Sequence, residues 1–194
     1  MLNKPYHHGN LRNSLIEAGI ELINKEGAKQ FSLRKVAALC GVSQTAPYSH
    51  FQSKEDLLEA MQDYVTEQFM KELEKAIKSC PDQNDPSVLI QMGKSYVMFF
   101  INNPQYFPFL FSQSCIEINL SLEGDSTKNF PPFELLKKIV FGIYGEAGMP
   151  KGNLEDMIIS LWSTVHGLAS IATMKNVRYN KDWESKIEDI IWNK

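Results

Sequence analysis

The sequence predicts an all-α protein with an N-terminal three-helix helix-turn-helix domain and a C-terminal helical bundle. Apolar residues recur at helical spacing along most of the chain, and no convincing run of strand-like alternation interrupts them. Capping residues and glycine or proline breakers divide the pattern into separate helices. These observations predict a first domain over residues 1–55 and a second over residues 56–194.

Length and composition limit the possible classes of protein. A chain of 194 residues that is 43% hydrophobic is large enough for a substantial core. It has no apolar run of 18 residues, and its start, MLNKPYHHGN, has no signal-peptide character, so we expect a cytoplasmic protein without membrane contact. Three widely spaced cysteines predict reduced thiols and neither a disulfide framework nor a metal site, and no motif indicates a cofactor.

Charge is distributed unevenly along the chain. The net charge is -3, yet residues 1–54 hold seven Lys and Arg against three Glu, and the remainder sums to -7. A small cationic domain joined to an acidic body is typical of nucleic-acid-binding proteins, although a solvated surface would give the same count. The asymmetry therefore favours a nucleic-acid partner without establishing one.

The first two predicted helices are short and well delimited. The first covers about residues 11–25 and ends at Gly27, which can adopt a left-handed cap conformation. The second begins behind Ser32 as N-cap and stops at Gly41. A glycine turn between short helices is the helix-turn-helix pattern.

The third predicted helix covers residues 43–51 and has an unusual composition. Ser43 is its expected N-cap, and Pro47 falls at the fourth helical position, which removes one early backbone hydrogen bond. Phe51 is expected to anchor the helix in a small core. Ser53 then caps a long fourth helix that continues to about Ser79, with Asp56 completing a capping box.

Polar residues at the start of this third helix suit contact with a DNA major groove. Gln44 and Thr45 stand where side chains reach base edges, and Gln can pair with adenine through two hydrogen bonds. Tyr48 and His50 offer hydrogen bonds to phosphates. The alternative is that Tyr48 and His50 are half-buried residues of a packed helix.

The remaining chain predicts helices over about residues 86–102, 132–148, 154–174 and 183–192. The helix over 154–174 is apolar on more than one side, and a seam on the last helix could join it in a four-helix interface between two copies. The alternative is a large monomeric core. The residues predicted for the dimer interface are Leu161, Val165, Leu168, Trp183, Ile187 and Ile191.

Residues 10–58 resemble the DNA-binding domain of the TetR (tetracycline-repressor-like) family of bacterial transcription regulators. The resemblance is carried by LIEAGIELINKEGAKQFSLRKVAALCGVS and, most specifically, by Y-x-HF-x-SKEDLL. LWSTVHGLASIA is similar to a C-terminal subtype of that family with Trp, His and Gly on this helix. The resemblance implies DNA contacts from Ser32, Arg34, Ser43, Gln44, Thr45, Tyr48, His50 and Lys54, with Lys4 on the N-terminal arm.

The family resemblance further implies a homodimeric repressor that binds a palindromic double-stranded operator and is released by a small-molecule effector. The composition of the expected pocket lining suggests an apolar or aromatic effector. Two alternatives are an activator of the same family and a helical enzyme or ligand-binding protein with a vestigial helix-turn-helix. No phosphate loop, HExxH or GxSxG supports catalysis, so no catalytic residue is predicted. The residues predicted to line an effector pocket are Phe99, Phe100, Tyr106, Phe109, Trp162 and His166. The alternatives are that the aromatic residues form plain core and that His166 is a hydrogen-bonded interior or interface histidine.

Overall fold

The computed structural model describes residues 11–113, 116–123 and 129–192. These ranges contain helices and turns and no β-strand, which confirms the predicted all-α class. None of the helices in them is long and apolar enough to cross a membrane. The helices are α1 (Leu11–Glu26), α2 (Leu33–Leu39), α3 (Lys54–Lys78), α4 (Ser87–Asn102), α5 (Tyr106–Pro108), α6 (Pro131–Val140), α7 (Lys151–Thr173) and α8 (Trp183–Trp192).

The described residues form two compact units. The first contains residues 11–65 and 108–113, and the second contains residues 66–107, 116–123 and 129–192. Helix α3 supplies residues to both. The predicted domain boundary after residue 55 stays a prediction, because a domain is defined by independent folding and not by contacts alone.

The first unit is built on α1, which buries one face that carries Leu15, Ile16, Gly19, Ile20, Leu22 and Ile23. Gly19 lies at the centre of this packing, because a Cβ there would stand 2.7 Å from the Met61 sulfur and 3.3 Å from the Phe31 ring. A side chain at position 19 would therefore displace the Met61 and Phe31 side chains from this packing. The π-helical turn Phe109–Gln113 also packs against α1.

The second unit has an aromatic core. Phe69 of α3 lies 4.9 Å from both Phe99 and Phe100 of α4 between ring centroids, and 5.0 Å from Tyr96. Such offset and edge-to-face pairs add favourable contact beyond the area they bury. Helix α4 also packs against α7 and α8, and these three helices with α6 form the rest of this unit.

Two ion pairs connect α8 to α4. The Lys94 ammonium lies 2.6 Å from the Glu188 carboxylate and 3.1 Å from that of Glu184. These contacts, the hydrogen bond to Glu188 above all, raise the pKa of Lys94 and keep it charged. The short terminal helix is therefore attached by charge as well as by its apolar side chains.

Three predicted elements differ in detail. The helix expected over residues 132–148 is α-helical only to Val140 and continues as a π-helical turn, Phe141–Gly145. Gly27 has a positive φ of 82° as expected, but its ψ of 159° is extended, so it is not a left-handed helical cap. The expected helix over residues 43–51 is a 3-10 segment, Ala46–Ser49.

Candidate nucleic-acid interface

The turn between α2 and the 3-10 segment has a complete Schellman geometry. The Gly41 N–H donates to the Ala38 carbonyl at 3.2 Å, and the Val42 N–H donates to the Ala37 carbonyl at 3.0 Å. Gly41 adopts a φ of 68°, in the left-handed region that this motif requires. At the other end of α2, the Ser32 hydroxyl accepts the Lys35 N–H at 3.3 Å, which confirms Ser32 as the N-cap.

The segment after this turn is tighter than the α-helix predicted. The Ala46 N–H donates to the Ser43 carbonyl and the Tyr48 N–H to the Thr45 carbonyl, both three residues back. Pro47 has no N–H, so an α-helical bond from residue 47 to residue 43 cannot form. The predicted capping role of Ser43 is also wrong, since its hydroxyl lies 3.1 Å from the Thr45 hydroxyl and the segment has no side-chain cap.

The predicted base-reading and phosphate-binding tips of this segment point to solvent. Gln44, Thr45 and His50 are exposed, and Tyr48 is 55% exposed. The alternative that Tyr48 and His50 are packed residues is therefore wrong. Ser43 is exposed too, so these five hydroxyl, amide and imidazole groups form one polar surface, which we call the reading surface.

The reading surface is held in place by two buried residues. Pro47 is buried, and its carbonyl accepts the N–H groups of His50 at 3.0 Å and of Phe51 at 2.9 Å. Phe51 is fully buried, with the Arg12 guanidinium 5.3 Å from its ring centroid. Buried residues on one side fix the backbone of this short segment, so its polar side chains are held in position to contact a DNA groove.

Cationic residues lie on the flanking elements. Arg34 is exposed in the first turn of α2. Lys35 beside it pairs with Glu26 at 2.8 Å, and this hydrogen bond lowers the pKa of the Glu26 carboxyl. Exposed Lys29 adds a further charge in the turn before α2. We predicted no individual role for Lys29 or Lys35, although the charge count of residues 1–54 already contained them.

The Lys54 side chain makes contacts within the protein that the sequence did not predict. It opens α3, but its ammonium donates to the Ala28 carbonyl at 3.2 Å and stands 5.7 Å from the Phe31 ring centroid. Its side chain therefore also connects α3 to the turn that precedes α2. Lys4, the remaining predicted contact, lies outside the described residues.

The second unit contains an apolar cavity of about 350 Å³ between α4, α6, α7 and α8. Of the predicted pocket residues, Trp162 lines this cavity. Phe99, Phe100 and Tyr106 are instead buried in the aromatic core of that unit. Phe109 is buried in the first unit, and His166 lies behind the cavity wall, where Nδ1 is 3.0 Å from the Tyr96 hydroxyl.

The predicted dimer-interface residues fall into two groups. Ile187 has no exposed surface in the single chain, and Val165 is buried as well, so both pack within the unit. Leu161, Leu168, Trp183 and Ile191 are half-buried, and Leu161, Val165 and Ile191 also line the cavity. A different set of α7 residues is exposed along one side of the helix: Ile159, Ser160, Ser163 and Ile171.

Fold and surface together define a class: an all-helical protein with an N-terminal helix-turn-helix and a helical body. Residues 15–61 match the family described as bacterial regulatory proteins, tetR family. The tetracycline repressor protein class G of Vibrio anguillarum is 34% identical over 74 residues, which are 38% of this chain and 32% of the repressor. The match thus spans about a third of that relative. The match to the tetR family therefore covers the N-terminal helix-turn-helix part of this chain.

The similarity of fold extends over the whole chain. A TetR-family transcriptional regulator from Bordetella parapertussis superposes with a TM-score of 0.69 at 12% identity, covering 95% of this chain and 93% of that one. The fatty acid degradation regulator FadR of Bacillus halodurans gives 0.65 at 14% identity, covering 96% and 95%. These likenesses concern the fold. The Trp-His-Gly subtype stays a prediction; in this chain Trp162 and His166 lie 4.9 Å apart between ring centroids.

Proposed function

We propose that this tetR-family transcriptional regulator is a homodimeric repressor that binds a palindromic DNA operator and is released by a small-molecule effector. The observation that carries the proposal is the reading surface, whose polar tips face solvent while Pro47 and Phe51 are buried beneath them. Exposed polar groups on a rigid short segment after a helix-turn-helix turn are suited to base and phosphate contacts.

Different residues would supply specificity and affinity. Gln44 and Thr45 are assigned to base edges, since amide and hydroxyl groups distinguish bases in the major groove. Tyr48, His50, Ser43 and Ser32 are assigned to the phosphate backbone, together with Arg34 and Lys54. The cationic contacts release counterions, so binding should weaken as salt concentration rises.

Dimerisation is proposed through α7 and α8. One side of α7 exposes Ile159 and Ile171 beside the small residues Ser160 and Ser163, which allow another helix to approach closely. Two copies related by a two-fold axis would present two reading surfaces to the two half-sites of a palindrome. An effector that favours one conformation of the dimer would then shift the operator affinity.

The test begins by mapping the genomic DNA fragments that the purified full chain retains, followed by titrations against the recovered site and its single-base variants. Gln44→Ala should reduce discrimination between bases at one base pair of each half-site. The lost difference in binding free energy should be about 1–3 kcal/mol. Arg34→Ala should weaken binding to all sequences alike. It should also reduce the slope of log affinity against log salt concentration by about one.

Lys71→Ala is the matched control for the loss of a cation. Lys71 is exposed on the second half of α3, belongs to the second unit and pairs only loosely with Glu67 at 3.9 Å. We expect no change in DNA affinity beyond a small ionic effect. Retention of no fragment even at low salt, or an unchanged base preference in Gln44→Ala, would contradict the assignment.

A further inference from the structure

The cavity in the second unit is apolar on most of its surface. Met92 and Tyr96 of α4, Phe133 of α6 and Val165 of α7 contribute to its wall. Gly93 forms part of the α4 side, where an added Cβ would stand 2.8 Å from Ile191 Cδ1 and 3.1 Å from Val165 Cγ1. Its volume of about 350 Å³ lies in the range of small-molecule sites, roughly 300–1,000 Å³.

The cavity wall carries no charged side chain among its described residues. Two lysines occur next to wall residues in sequence, and each is already paired. Lys94 follows Gly93 and binds Glu184 and Glu188. Lys137 follows Leu136 and donates to the Glu134 carboxylate at 2.9 Å and to the Ser121 carbonyl at 2.7 Å. A ligand carboxylate in the cavity would therefore find no free cation on its wall.

One polar group of the wall, the Tyr96 hydroxyl, is held by a hydrogen bond: it lies 3.0 Å from His166 Nδ1. A phenol has one donor hydrogen and two acceptor sites, so the Tyr96 hydroxyl can form a further hydrogen bond to a ligand. Burial raises the pKa of Tyr96 and lowers that of His166, which keeps both groups uncharged near neutral pH.

We infer that this cavity binds an uncharged, largely apolar molecule that carries one hydroxyl group, and that Tyr96 hydrogen-bonds to this hydroxyl. The inference rests on the proposed function for its biological role, because that function requires an effector. A hydroxyl suits the site, since it can donate or accept and so matches either tautomer of His166.

The same wall discriminates against anions. A carboxylate moved from water into an apolar cavity loses its hydration and gains no ion pair, which strongly disfavours binding. An alcohol of the same carbon skeleton loses much less hydration and can replace one hydrogen bond at Tyr96. The site should therefore separate an alcohol from the corresponding acid even when both molecules fit.

The experiment is calorimetric titration of the full chain, without DNA, with two pairs of probes at neutral pH. The pairs are 4-butylphenol with 4-butylbenzoate, and 3-cyclohexylpropanol with 3-cyclohexylpropanoate. We expect each neutral probe to bind and each anion to bind at least about a hundredfold more weakly. The inference is overturned if the anions bind as tightly as the neutral probes or more tightly. It is also overturned if neither neutral probe binds.

Two variants locate the binding in this cavity. Tyr96→Phe keeps the ring and removes the hydroxyl, and should weaken the neutral probes roughly five- to tenfold. Tyr179→Phe makes the same change at a half-buried ring that packs at a tilt against Trp183 and does not line the cavity, and should have no effect. Equal effects of the two variants would place the probes elsewhere.

A third variant should reduce the preference for neutral probes. Leu161 is half-buried on the cavity wall, so Leu161→Lys places an ammonium that can reach both cavity and solvent. It should bring the anions to within about tenfold of the neutral probes, whereas Val177→Lys at an exposed position should leave the ratio unchanged. An unaltered ratio in Leu161→Lys overturns the inference.

Failure of the proposed function would give a different pattern. Neutral probes that bind this cavity in a chain that retains no DNA fragment would contradict the regulator proposal and leave the ligand class intact. Sequence-selective DNA binding in a chain that binds both anions as tightly as the neutral probes would contradict the inferred ligand class and leave the regulator proposal intact.

Discussion

The Tyr96 hydroxyl lies 3.0 Å from Nδ1 of His166, so α4 and α7 meet through a part-buried hydrogen bond at the back of the cavity. Burial lowers the pKa of His166 below its ordinary value of 6.5. The folded chain therefore prefers the neutral imidazole, and the unfolded chain binds this proton more readily. The free energy of unfolding should fall as pH drops below about 6.5 and stop falling below the folded-state pKa of His166.

This pH dependence is measurable by urea denaturation at a series of pH values. Its slope has an upper bound of about 1.4 kcal/mol per pH unit for one proton, and partial exposure of His166 reduces it. His166→Gln should remove the His166 contribution, while His50→Gln, at an exposed imidazole, should retain it. An identical slope below pH 6.5 in wild type and His166→Gln would contradict the argument.

Gly93 should tolerate no side chain. In Gly93→Ala the new Cβ would stand 2.8 Å from Ile191 Cδ1 and 3.1 Å from Val165 Cγ1, so these side chains or their helices must shift, which should cost about 1–3 kcal/mol in free energy of unfolding. Gly152→Ala is the matched control, since a Cβ there meets nothing within 4 Å in the first turn of α7. It should be neutral or stabilising by up to about 1 kcal/mol. Thermal or urea denaturation distinguishes the two, and equal effects would refute the packing argument.

The N-terminus of α3 is held by two side-chain bonds that resemble a capping box, except that Asp56 accepts the N–H of Gln52 and not that of the N-cap Ser53. The Ser53 hydroxyl accepts the Asp56 N–H at 3.1 Å, and the Asp56 carboxylate accepts the Gln52 N–H at 2.7 Å. Ser53→Ala should therefore lower the free energy of unfolding by about 1 kcal/mol. Ser79→Ala, which removes an exposed hydroxyl that donates to the Ala76 carbonyl, should cost only a few tenths, about what an exposed bond contributes. The cap role would be wrong if the two losses were alike.

Two positive-φ glycines should respond differently to the same substitution. Gly27, at φ 82° and ψ 159°, occupies a region almost restricted to glycine, so Gly27→Asn should cost about 1–3 kcal/mol. Gly41 sits in the left-handed position of a Schellman turn at φ 68°, which Asn tolerates, so Gly41→Asn should cost less. Neither Cβ would meet another atom within 4 Å, so the difference reports backbone conformation alone. Chemical denaturation of both variants measures which substitution lowers the free energy of unfolding more.

The proposed dimer can be tested on the exposed side of α7. Ser163→Arg places a long charged group on that side and should convert the dimer to monomer, as measured by light scattering after gel filtration. Asn102→Arg adds the same group at an exposed position at the end of α4 and should leave the mass unchanged. A wild-type chain that is monomeric at all concentrations would contradict the dimer proposal itself.

Local signals predicted the helix boundaries well. Caps at Ser32 and Ser53 and the glycine turn at Gly41 were correct because each is a hydrogen bond or a backbone conformation formed within a few residues. The third helix was wrong in type for a local reason too. Pro47 removes the donor that an α-helix needs, and the segment adopts three-residue hydrogen bonds instead.

The sequence by itself determined the all-α class, the helix-turn-helix with its outward polar tips, and the charge asymmetry. Only the tertiary structure decided which apolar side chains line a cavity and which fill the core. Trp162 faces the cavity while Phe99 and Phe100 pack against Phe69, and Ile187, expected at an interface, is buried within the chain. Helical spacing shows which face of a helix avoids water, but the partner that covers this face comes from residues distant in sequence.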